Sequence, residues 1–96
     1  MPNVKEKGLT DTEIKAEIKR KRKYCVKAYN NDLTEYKQVL ELLMIYCGYQ
    51  FEQADHYTKE IHRKGNSIVY WESKKKCEGL IKAFADIMVK AKLVEN

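Results

Sequence analysis

The chain has 96 residues, 44% of them hydrophobic and 10% aromatic, with one proline and four glycines. That is enough for one small globular domain, and the composition is neither disordered nor fibrous. The net charge is +5, but residues 1–23 carry eight basic and four acidic side chains, so the remainder is nearly neutral and lacks the broad basic field of a dedicated nucleic-acid binder.

In chain order, Thr10-Asp11-Thr12-Glu13 opens a capping-box pattern and Ile14 and Ile18 follow four residues apart, which predicts a short helix near 11–22. Residues 1–23 are thus expected to form a basic helical extension, and 24–96 the domain proper. Tyr24 to Tyr29 is a strand running into the turn residues Asn30-Asn31-Asp32. Thr34 is the expected N-cap of a helix whose apolar positions, Tyr36, Val39, Leu40, Leu43, Tyr46 and Cys47, end at Gly48. A second helix starts near Phe51, places Ala54, Tyr57, Thr58 and Ile61 on one face, and ends at Gly65 behind Arg63 and Lys64.

Ser67 to Trp71 predicts the next strand. Ser73 caps a third helix with Cys77, Leu80, Ile81, Phe84, Met88 and Ala91 on its apolar face, and Lys92 to Glu95 can close the sheet. The order (α)βααβαβ predicts an α+β sandwich, with three helices on one face of a three-stranded antiparallel sheet. Tyr46, Tyr57 and Phe84 are expected in its core.

The longest apolar run, Leu42 to Cys47, is too short to cross a bilayer, and no apolar segment follows the basic residues at the N-terminus. These features point to a cytoplasmic domain. Cys25, Cys47 and Cys77 lie 22 and 30 positions apart, an odd set with no close pair, so they read as small buried apolar residues in a reducing compartment. Without CxxC or HxxxH spacing no metal is expected, and no cofactor. No paired-carboxylate, Ser/His/Asp or glycine-rich phosphate pattern marks an enzyme.

Two features remain. One is the cationic run Lys19-Arg20-Lys21-Arg22-Lys23, which keeps a nucleic-acid-associated role open as an alternative. The other is the turn. Asn30-Asn31-Asp32-Leu33-Thr34 resembles the N-D-D-x-T segment of ClpS, the adaptor family of the ATP-dependent Clp protease. Glu52-Gln53-Ala54 and Ile61-His62-Arg63-Lys64-Gly65 are similar to that family's E-x-A and V-H-x-x-G patterns, in the same order and spacing.

The resemblance covers roughly 24–96 and implies the same α+β fold, one shared with the C-terminal domain of a ribosomal stalk protein. It also implies a binding activity and no catalysis. ClpS proteins grip the first residue of N-degron substrates and deliver them to the N-terminal domain of a Clp AAA+ unfoldase of the ClpA or ClpC kind. By that resemblance the protein acts as a monomer, Asn30, Asn31 and His62 hold the substrate's α-amino group, and Thr34, Tyr36, Val39, Thr58 and Ile61 line the side-chain pocket.

The chain departs from the family at named places. Asn31 stands where the family has aspartate, which turns a charge-assisted contact into a neutral one. Tyr36 and Thr58 replace methionines and make the pocket narrower or more polar. The segment after Gly65 is shorter than usual, so Glu72 and Lys76 become the nearest candidates for contact with the unfoldase.

Overall fold

The computed structural model describes residues 22–95. The helix expected at 11–22 and most of the cationic run lie outside them. The elements are β1 (Tyr24–Tyr29), α1 (Tyr36–Cys47), α2 (Phe51–Lys64), β2 (Asn66–Glu72), α3 (Lys74–Asp86) and β3 (Ala91–Glu95). The sheet has the order β2-β1-β3, with β1 antiparallel to both neighbours.

Strand alternation sorts β1 between two faces. Val26 and Ala28, opposite Leu93 and Ala91 of β3, turn toward the helices, while Lys27, opposite Lys92, and Tyr29 turn away. Val69 is an extra residue in β2, since Val26 pairs with Tyr70 and Lys27 with Ile68. This bulge bends the edge strand where α2 meets it.

The three helices supply the other half of the core from residues three and four apart: Val39 and Leu43 of α1, Ala54, Tyr57 and Ile61 of α2, and Cys77, Leu80 and Phe84 of α3. Burying side chains of this size contributes about 1.5–3 kcal/mol each. The layer architecture is the predicted one, three helices against a three-stranded antiparallel sheet.

Local signals decide most boundaries. Gly48 and Gly65 take left-handed conformations (φ 72° and 88°), and the Gly65 N–H donates to the Ile61 carbonyl at 3.0 Å. Ser73 accepts from the Lys76 N–H at 3.4 Å and starts α3.

Three expectations change. The N-cap of α1 is Glu35, whose N–H donates to the Gln38 side chain at 3.1 Å, because the Thr34 hydroxyl is engaged elsewhere. Helix α3 ends at Asp86 instead of running through Met88 toward Ala91. The Val89 N–H donates to Phe84 O and the Met88 N–H to Ala85 O, with Met88 left-handed at φ 66°. That is a Schellman motif in which methionine occupies the position glycine usually fills, held by the buried pair Val89 and Phe84. Tyr46 sits at the edge of the core, 39% exposed, edge-on to Tyr70.

The three cysteines are free, and burial raises the pKa of each thiol, that of Cys47 to about 12. Among the described residues no helix is long and apolar enough to cross a membrane, and no group of three His, Cys, Asp or Glu could hold a metal ion.

Candidate functional site

Where β1 leaves the sheet, backbone bonds fix its exit. The Tyr29 N–H donates to the Lys90 carbonyl and the Asn30 N–H to the Gly65 carbonyl, both at 2.9 Å. The turn that follows is organised by Asn31. Its Oδ1 accepts from the N–H groups of Leu33 (2.8 Å) and Thr34 (2.7 Å), the local pattern that suits asparagine to turns. Its Nδ2 donates to the Met88 carbonyl at 2.6 Å, and the Thr34 hydroxyl donates to the Ile87 carbonyl at 2.6 Å. The unusual end of α3 is therefore what the turn is stapled to.

Between this turn and the first two helices lies a cleft of about 230 Å³. Asn30, Asn31, Asp32 and Thr34 of the turn line it, with Tyr36 and Val39 from α1 and Thr58, Ile61 and His62 from α2. All eight residues expected to hold an amine and its side chain meet here, and Asp32 joins them. Leu33 and Met88, 76% and 67% exposed, lie in and beside the same turn.

The walls are apolar or have their polar atoms engaged. Val39 and Ile61 are buried core residues. The buried Thr58 donates its hydroxyl hydrogen to the Ala54 carbonyl one turn back in α2, at 2.7 Å. The Tyr36 hydroxyl donates to Asp55 Oδ1 at 2.5 Å, and Lys59 holds the same carboxylate at 2.9 Å. Partial desolvation and then the Asp55 carboxylate push the Tyr36 hydroxyl up to about 12, while the bond from Tyr36 draws the Asp55 carboxyl below its ordinary range. The Tyr36 ring stands edge-on to His62, centroids 6.3 Å apart. The hydroxyls of Tyr36 and Thr58 thus donate their protons to groups of α2.

The remaining polar groups differ. The Asn30 side-chain amide, the Asp32 carboxylate and the His62 ring nitrogens are exposed and have no hydrogen-bond or ion-pair partner among the described residues. Together they present an amide oxygen, a carboxylate and an imidazole to one cleft, an arrangement of acceptors suited to an ammonium. Asp32 went unnoticed in the sequence because Asn-Asn-Asp reads as turn-forming residues throughout. Its match to the second aspartate of the N-D-D-x-T pattern, two residues after Asn30, is the signal that could have marked it.

Glu72 and Lys76 lie elsewhere. Tyr29 pairs with Asn66 at the cleft end of β1, whereas Glu72 pairs with Tyr24 at the other end, roughly 20 Å away at the rise of a strand. Glu72 is 3.6 Å from Arg22 and accepts from the Ser73 N–H at 3.2 Å, and Lys76 is exposed in the first turn of α3.

A second concavity, about 370 Å³, opens between α2 and β2 and is lined by His56, Tyr57, Glu60, Lys64, Asn66, Ser67, Ile68 and Trp71. Its acid is already partnered. Glu60 accepts from the Ser67 hydroxyl at 2.7 Å, with His56 and Lys64 each at 3.5 Å, and the Ser67 bond leads the causes that hold its carboxyl below the ordinary range.

Fold and cleft together describe a small α+β module with a pocket at the end of its sheet. Residues 19–91 match the family model of the ATP-dependent Clp protease adaptor protein ClpS, and the chain belongs to that family of adaptors. Its fold is similar to that of ClpS2 of Agrobacterium tumefaciens, whose structure was solved bound to L-phenylalaninamide. The TM-score is 0.70 at 17% identity, over 78% of this chain and 98% of that one. No curated protein sequence matches the chain.

Proposed function

We propose that the protein captures the first residue of substrate proteins in the Asn30–His62 cleft and delivers them to a Clp-family unfoldase, so that it directs their proteolysis. One observation carries this reading. Three side chains lining the cleft have no hydrogen-bond or ion-pair partner among the described residues, each can offer an acceptor and one of them is an anion, and they stand beside an apolar wall. An N-terminal residue offers the complement, three ammonium donors next to a side chain.

In this reading the ammonium donates to the Asn30 amide oxygen, the Asp32 carboxylate and a His62 ring nitrogen. Asn31 serves the site indirectly. Its oxygen already accepts two backbone N–H groups, so it shapes the turn instead of meeting the amine. Asp32 supplies the anion that meets the ammonium. The first side chain enters among Thr34, Tyr36, Val39, Thr58 and Ile61. A volume of about 230 Å³ is below the roughly 300–1,000 Å³ of whole-ligand pockets and suits one residue, with the rest of the substrate outside.

The ligand of the Agrobacterium tumefaciens protein, an amino acid with a free amine and an amide in place of its carboxylate, has the chemistry of a chain's first residue. Glu72 and Lys76 sit at the far end of the sheet, where an unfoldase N-domain can dock while the cleft stays open.

Fluorescence anisotropy tests the reading. Peptides beginning with Phe, Leu, Tyr or Trp should bind, and N-acetylated twins should lose about 2–4 kcal/mol, since acetylation removes the charge and two donors. Binding should also fade above about pH 8 as the peptide amine deprotonates. Equal affinity of free and acetylated peptides rejects amine capture.

A further inference from the structure

On the face of the sheet turned away from the helices, three ammonium groups surround one ring. Lys27 Nζ lies 5.7 Å from the Tyr29 centroid, and the Nζ atoms of Lys90 and Lys92 lie 5.8 Å from it. Lys27 lies in β1 and Lys92 in β3, and Lys90 immediately precedes β3. Lys27 and Lys92 are direct cross-strand partners, and Lys90 is bonded through its carbonyl to the Tyr29 N–H. Like charges in directly opposed positions destabilise a sheet, and one phenol ring offsets only part of the repulsion. Among the described residues no Asp or Glu pairs with any of the three. Lys90 and Lys92 are exposed and Lys27 is half-buried. The cluster is a compact concentration of positive charge, chemically suited to an anion.

Its position says which anion. Tyr29 immediately precedes Asn30, and Met88, two residues before Lys90, takes the bond from Asn31. The cluster therefore begins one residue from the cleft, around the end of the sheet. A substrate held by its first residue and leaving over Asn30 advances about 3.3 Å per extended residue, which brings roughly its third to sixth residues to the lysines. A nucleic acid asks for a run of phosphate contacts along an extended basic surface, whereas this patch is compact and the domain around it nearly neutral.

We infer that Lys27, Lys90 and Lys92 bind acidic side chains a few residues downstream of the captured N-terminus, so that the protein selects substrates with a free amine followed by an acidic segment. The inference rests on the amine-capture reading and adds a second, opposite charge to it. Asp32 takes the cation at the first residue, and the lysines take the anions that follow.

The test uses peptides with the same first phenylalanine and either Glu, Gln or Lys at positions three to six, titrated by anisotropy against the full chain. The Glu peptide should bind about three- to tenfold more tightly than the Gln peptide at low salt, and the Lys peptide more weakly. The preference should vanish near 0.5 M salt, where screening shortens to a few ångströms. The triple variant Lys27→Gln/Lys90→Gln/Lys92→Gln should abolish the preference while binding the Gln peptide unchanged. The single reversal Lys90→Glu, which takes the cluster from three positive charges to a net of one, should shrink the preference for the Glu peptide without reversing it.

If Glu and Gln peptides bind wild type equally while acetylation still abolishes binding, the lysine inference is wrong and amine capture stands. If acetylation makes no difference, amine capture itself has failed. A single-stranded oligonucleotide that binds wild type but not the triple variant, with no preference among the peptides, would overturn the inference in favour of a nucleic-acid surface.

Discussion

Helix α2 has a concavity on either side, and the larger is the less suited to a ligand. The one facing β2, about 370 Å³, holds a carboxylate, a histidine and a lysine, yet Glu60 is satisfied by Ser67 and flanked by His56 and Lys64. The one facing the turn, about 230 Å³, holds an amide, a carboxylate and a histidine that have no hydrogen-bond or ion-pair partners among the described residues. The difference is not size or residue type but unengaged hydrogen-bonding capacity. In the second concavity the acid serves the fold. In the first, the fold is maintained by Asn31, Thr34, Thr58 and Tyr36, which leaves Asn30, Asp32 and His62 for a ligand.

The sharpest way to break this contrast is at the two acids. Asp32→Asn removes the charge from the amine site and should weaken free-amine peptides by about 1.5–3 kcal/mol, leaving stability within about 0.5 kcal/mol, because the carboxylate has no internal partner. Calorimetry and thermal melts on one preparation check both halves. Asn31→Ala should do the reverse and cost about 1–2 kcal/mol of stability, since two backbone N–H groups and the Met88 carbonyl lose their partner. Asn31→Asp keeps the acceptor but turns a carboxylate oxygen toward the Met88 carbonyl, so it should lower stability by about 1 kcal/mol and leave free-amine binding no tighter.

Met88→Gly relieves a left-handed methionine and should raise the melting temperature by an amount equivalent to about 1 kcal/mol. The smallest effect is expected across the helix. Glu60→Gln should not change peptide affinity, but it should alter the acid limb of stability. The depressed carboxyl pKa of Glu60 stabilises the fold above its unfolded value, and that contribution is lost as pH falls through the folded one, so the variant's melting temperature should fall less on acidification.

Much of this was legible in the sequence because it depends on local chemistry. The glycines that stop α1 and α2, the serine that starts α3 and the apolar spacing of each helix fix the elements and the layer they form. The cleft residues could be named because Asn30 to Thr34 and Ile61 to Gly65 resemble the ClpS patterns in order and spacing. What stayed hidden depends on tertiary partners. Thr34 looks like an N-cap until Ile87 offers its carbonyl across the loop. The end of α3 carries no glycine, so only the packing of Val89 on Phe84 reveals a methionine in the left-handed position. Asp32 and Asn31 are chemically similar turn residues, and only the bonds of Asn31 show that it shapes the turn while Asp32 stays unpartnered among the described residues. Lys27 and Lys92 are far apart in sequence, and strand register alone puts them side by side.

The central claim is that unengaged acceptors, and not the larger cavity, define the ligand site. Titrating the ¹⁵N-labelled protein with L-phenylalaninamide and following its amide and histidine ring resonances tests it directly. Saturable shifts are expected at Asn30 to Asp32, along Thr58 to His62 and in the His62 ring, with His56 and Ser67 to Trp71 unmoved. Shifts centred on His56, Glu60 and Trp71, or none at the turn at saturating ligand, would contradict it.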